Sequence, residues 1–195
     1  MQVQIAQGLI GMSRRIDRMT SVIGRSVAWL VVAAAAVSAG NAVVRKAFHM
    51  SSNSWLEAQW WLFALVFLLA APWTLALNEH IRIDVVSNRF APRTRSWIEL
   101  VGHAFFLLPS AALLLYHSWH YFLTSYFQNE QSTNPGGLPQ WPIKALIPAA
   151  FALLFLQGLS ELVKRIAIMQ GLLPEPASHH HPIIDEMQPP DPKAS

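Results

Sequence analysis

The chain has 195 residues, 53% hydrophobic and 13% charged, with eight Trp, no Cys and a formal net charge of +3. A soluble domain carries roughly 25% charged residues, so about half of that charge is missing, and the mean hydropathy of +0.31 points the same way. The composition is that of an integral membrane protein. It leaves no room for a large soluble domain, excludes disulfides, thiol nucleophiles and iron–sulfur clusters, and offers no basic stripe or finger motif for nucleic acid.

In chain order, residues 1–26 read as a cytoplasmic N-terminal segment carrying Arg14, Arg15, Arg18 and Arg25. The first apolar run, Val27–Val44, follows. Its small residues Val37-Ser38-Ala39 resemble a signal-peptide cleavage site, but the run is as long as a true span and the segment before it is long, so an uncleaved anchor is expected. Gly24, Ala28, Val32, Ala36 and Gly40 recur every four residues and predict a small-residue face for close helix packing, with Asn41 beside it.

Three more apolar runs follow: Trp60–Leu77, Trp97–Tyr116 and Ile143–Val163. At 1.5 Å per residue each run reaches about 27–32 Å, enough for a hydrocarbon core near 30 Å. Pro72, Pro109 and Pro148 fall one in each run, which membrane helices tolerate when neighbouring groups re-satisfy the freed carbonyls. The expected fold class is all-α, with four transmembrane helices spanning a membrane domain over residues 27–166.

Eleven Lys and Arg fall on the side of the two termini and three on the other, which puts both termini in the cytoplasm. The loop Asn78–Ser96 has the spacing of a short amphipathic helix, with Pro92 placed to open the next helix. On the outside, His117–Pro142 supplies Trp119, Tyr121, Tyr126 and Trp141 as interfacial anchors. Residues 167–195 read as a Pro-rich, disordered cytoplasmic tail.

The middle thirds of the four runs contain no Asp, Glu, Lys or Arg, so no ion path crosses this chain. Glu99 and Glu161 lie at inner helix ends, and Lys164 and Arg165 stand three and four residues after Glu161, in ion-pairing register. His80 with His103, or His49 with His117, could face each other as haem ligands. A membrane b-type cytochrome subunit is therefore the alternative reading. His117 and His120 lack a third metal ligand, and no nucleophile stands in a catalytic context, so neither an enzyme nor a cofactor held by this chain is expected.

Several ordered segments resemble the small membrane subunit, or Q subunit, of tripartite ATP-independent periplasmic (TRAP) transporters. They are Asn41-Ala42-Val43-Val44-Arg45, Trp55-Leu56-Glu57, His80-Ile81-Arg82-Ile83-Asp84-Val85-Val86 and Gly136-Gly137-Leu138-Pro139-Gln140-Trp141-Pro142. Arg45-Lys46 and Glu57-Ala58 stand where the family often has Arg-Tyr and two acidic residues. The resemblance implies a large multi-helix permease subunit that binds substrate and sodium, a periplasmic substrate-binding protein, and residence in the bacterial inner membrane among its lipids. The substrate would be a small organic acid. From the small-residue face and the family-like segments together, Ala36, Gly40, Asn41, Arg45, Glu57, Arg82, Asp84, Trp141 and Pro142 are the candidate partner-binding residues.

Overall fold

The computed structural model describes residues 2–48, 52–77 and 92–174. Helix α1 runs unbroken over Gln2–Phe48 and α2 over Asn53–Ala76. Helix α3 (Pro92–Val101) continues through a π-helical turn, Gly102–Leu107, into α4 (Leu108–Phe127), and α5 covers Trp141–Met169. Four stretches are long and apolar enough to cross a membrane: Gln7–Phe48, Asn53–Ala76, Ser96–Phe127 and Trp141–Met169. Among the described residues there is no strand, only a lone antiparallel bridge between Gln131 and Pro139.

The first helix starts well before the apolar run that announces it. At 1.5 Å per residue its 47 residues make a rod of about 70 Å. The extension is held because one line of it is buried: Ser13, Thr20, Val27 and Ala34, spaced by seven, all lie inside. A seven-residue repeat drifts by only about 20° per step and so keeps facing one groove. A four-residue repeat drifts about 40° the other way. The small series therefore winds off the buried line, with Gly24 buried while Ala28, Val32, Ala36 and Gly40 are exposed.

Helices α1, α2 and α5 pack against one another, whereas α4 packs chiefly on α5. Helix α5 is thus the centre of the assembly, and it carries the buried polar residues Gln157 and Ser160. Gly158 lets Leu107 and Leu108 approach closely, since a Cβ there would stand 3.1 Å from Leu108 Cδ2.

Pro109 leaves the Phe105 carbonyl without its usual partner. The chain absorbs this by widening to i→i+5 bonding just ahead of it: Leu108 N–H donates to His103 O, and Ser110 Oγ donates to Phe106 O at 2.6 Å.

Candidate functional site

At the end of the assembly where α1 starts and α5 finishes, polar side chains of three elements meet. The hydroxyls of Ser13 and Ser160 are 2.6 Å apart. Asp17 Oδ1 accepts from Gln157 Nε2 at 2.8 Å and from Ser160 Oγ at 2.8 Å, and Asp17 Oδ2 accepts from Lys164 Nζ at 3.1 Å. Lys164 also donates to Glu161 Oε1 at 2.6 Å, the i, i+3 pair expected from the sequence. Arg165 pairs across to Glu99 on α3.

This knot of Ser13, Asp17, Gln157 and Ser160 has no counterpart among the candidates taken from the sequence. Its signal was the i, i+4, i+7 series Ser13, Asp17, Thr20, opposed by Gln157, Ser160, Glu161 and Lys164 at i, i+3, i+4 and i+7. Residues 13–20 of the N-terminal segment thus pack on α5 within the bundle. Gln157 Oε1 and Thr20 Oγ1 remain buried there without hydrogen-bond partners. Two carboxylates share one ammonium in this knot, and Lys164 fills the place a cation would take. The knot can fasten α1 to α5.

At the opposite end, Glu57 organises the segment between α4 and α5. Its carboxylate accepts from Ser132 Oγ, from Asn134 Nδ2 at 2.9 Å and from the Leu138 amide at 2.6 Å. Asn53 Nδ2 donates to Pro135 O at 2.9 Å, and Ser54 Oγ donates to Gly136 O. The segment leaves α4 through Asn129, whose φ of 45° is the left-handed helix stop that Asn tolerates, with Glu130 N–H donating to Ser125 O at 3.0 Å. Lys144 pairs with Glu130 and stands 4.2 Å from the centre of the Tyr121 ring. The hydrogen bond from Lys144 holds the Glu130 carboxyl below its ordinary range.

The candidate residues distribute unevenly over this frame. Ala36, Gly40 and Arg45 are exposed on α1 and Asn41 is half-buried. Successive residues turn by about 100°, so Asn41 and Arg45 do not continue the face of Gly40. Glu57 is occupied by the chain's own loop. Trp141 packs edge-on against Tyr126, with ring centres 5.5 Å apart, and Pro142 lies in the first turn of α5. Arg82 and Asp84 lie outside the described residues, as do His49 and His80. His103 Nδ1 sits 2.7 Å from Glu99 O, while His117 and His120 are exposed on α4. Among the described residues no group of three His, Cys, Asp or Glu could hold a metal ion.

No curated protein and no solved structure matches the chain. The family described as tripartite ATP-independent periplasmic transporters, DctQ component, matches residues 34–167, most of the bundle and all of the segment that Glu57 organises. A four-helix membrane protein with a pinned loop at one end, a polar knot at the other and that match belongs to the DctQ family, the small permease subunit of TRAP transporters.

Proposed function

We propose that this chain is the static partner in the transporter's membrane pair, enlarging and orienting the large subunit that carries substrate and sodium. The observation that carries this reading is the outward side of α1. There Ala28, Val32, Ala36 and Gly40 are uncovered, although small residues are what a membrane helix uses for close approach to another helix. The middle thirds of the four apolar runs carry no Asp, Glu, Lys or Arg.

In this reading the termini face the cytoplasm of a bacterial inner membrane, following the distribution of Lys and Arg. The loop that Glu57 pins then faces the periplasm, where a binding protein delivers a small organic acid. Sodium belongs to the large subunit, and this chain performs no catalysis.

The test is purification of the tagged chain in mild detergent with mass spectrometry of what accompanies it, alongside sodium-dependent uptake in cells lacking the gene. A membrane protein of about a dozen helices should come with it in fixed ratio, and uptake should return only with both. Purification of the chain alone, with uptake unaffected by its loss, would overturn the reading.

A further inference from the structure

The N-terminal extension of α1 has two unlike sides. One is the line Ser13, Thr20 and Val27, buried and tied to α5 through Asp17. The other carries Arg14, Arg15, Arg18 and Arg25, all exposed. Positions 14, 18 and 25 follow at four and seven residues, which keeps them on one outward side of a helix buried at every seventh residue. Among the described residues no carboxylate answers them. Asp17 and Glu161 are taken by Lys164, Glu99 by Arg165, Glu130 by Lys144 and Glu57 by the loop. The same side continues into exposed Val22 and Trp29.

The depth of these arginines follows from α5. Ser160 lies nineteen residues beyond Trp141 on one helix, about 28 Å along it, and Lys164 lies about 6 Å further. A hydrocarbon core is near 30 Å thick. With Trp141 among the aromatic residues of one interface, Ser160 and Lys164 reach the other. Asp17 is bonded to both, so Arg14, Arg15 and Arg18 stand at that headgroup layer.

The geometry points to this side of α1 as a docking surface for anionic phospholipids of the cytoplasmic leaflet. Arg14, Arg15 and Arg18 take the phosphates, and Val22 and Trp29, further along the helix, take the start of the acyl chains. The assignment rests on the orientation given under Proposed function. Guanidinium groups suit the task because their planar donors grip phosphate oxygens in pairs. Asp17 acts as the positioning residue: turned inward and neutralised by Lys164, it leaves the outward side with positive charge only.

The experiment titrates the full-length purified chain, in detergent, with phosphatidylglycerol and separately with phosphatidylcholine, and reads bound lipid by native mass spectrometry. Wild type should prefer phosphatidylglycerol, and the preference should fall as salt rises. Arg14→Gln and Arg18→Gln, made singly so that most of the basic residues setting topology remain, should each lower the preference about five-fold, the effect of one basic residue near an anionic surface. Arg18→Lys should keep the preference but release lipid at lower salt, and Lys46→Gln, at the other end of α1, should leave it unchanged. Equal binding of the two lipids by wild type, or a preference untouched by both Gln variants, would overturn the proposal. So would Gln variants that keep the lipid preference but lose the large subunit, since that side would then meet protein. The titration needs no large subunit, so its failure is separate from failure of the scaffold reading.

Discussion

Gly24 and Gly40 belong to one four-residue series, yet they meet opposite surroundings. A Cβ at Gly24 would fall 2.2 Å from Trp73 Cγ, while nothing lies within 4 Å of one at Gly40. Gly24→Ala should therefore lower the thermal midpoint of the purified chain, at a cost of about 1–3 kcal/mol for forcing a tight contact. Gly40→Ala should leave it unchanged or slightly raised, because Ala is the better helix former. Equal midpoints for the two variants would contradict the assigned burial.

Glu130 gives a second test at this scale. Its carboxyl is held below the ordinary range by the hydrogen bond from Lys144. A group lowered on folding adds stability above its unfolded value, about 4.3, and that stability is lost as pH falls through the lower folded value. Amide exchange at Gln140, which donates to Glu130 O at 2.8 Å, should stay slow from neutral pH to below pH 5 and quicken in stronger acid, after correction for intrinsic rates. In Glu130→Gln this acid-dependent step should be missing. An unchanged step in that variant would assign the titration elsewhere.

Among the elements, α1 departs most from what its sequence announces. Val27–Val44 is legible as a span because it is continuously apolar, and the four spans, the helix opening at Pro92 and the loop-side aromatics are legible for similar local reasons. The extension over residues 2–26 is not. Its arginines mask the buried Ser13–Thr20 line, and the value of those small polar residues comes from Gln157, Ser160 and Lys164, more than 130 residues away in the chain. The pairing of Arg165 with Glu99 is likewise long-range.

Asp17→Ala should free the extension from α5. The expected result is faster amide exchange over residues 10–20 and a stability loss of about 1–3 kcal/mol, less than for a fully buried pair because Lys164 keeps Glu161 and both partners are partly exposed. Exchange over residues 36–44 should not change. Unaltered protection at residues 10–20 would show that the knot does not hold the helix.

On the scale of the whole molecule, α5 is the hub, α1 and α2 lie against it and each other, and α4 packs chiefly on it. This leaves α1 with a long open side, divided along its length. Arginines occupy the end near the chain terminus, and small residues occupy the part nearer the loop. The family-like segments name the protein's class, but they do not locate this side. Glu57, the most prominent of them in the structure, spends its carboxylate on the chain's own loop, and the open side emerges only once the seven-residue line is seen to be buried.

The most direct measurement is therefore made with Gly40→Leu: recovery of the large subunit in mild detergent, beside the thermal midpoint of the isolated variant and uptake in cells. Leu is favourable in the bilayer, and a Cβ at position 40 has nothing of this chain within 4 Å, so the account predicts normal production, an unchanged midpoint, and loss of the large subunit and of uptake. Full recovery of the large subunit with normal uptake would contradict it.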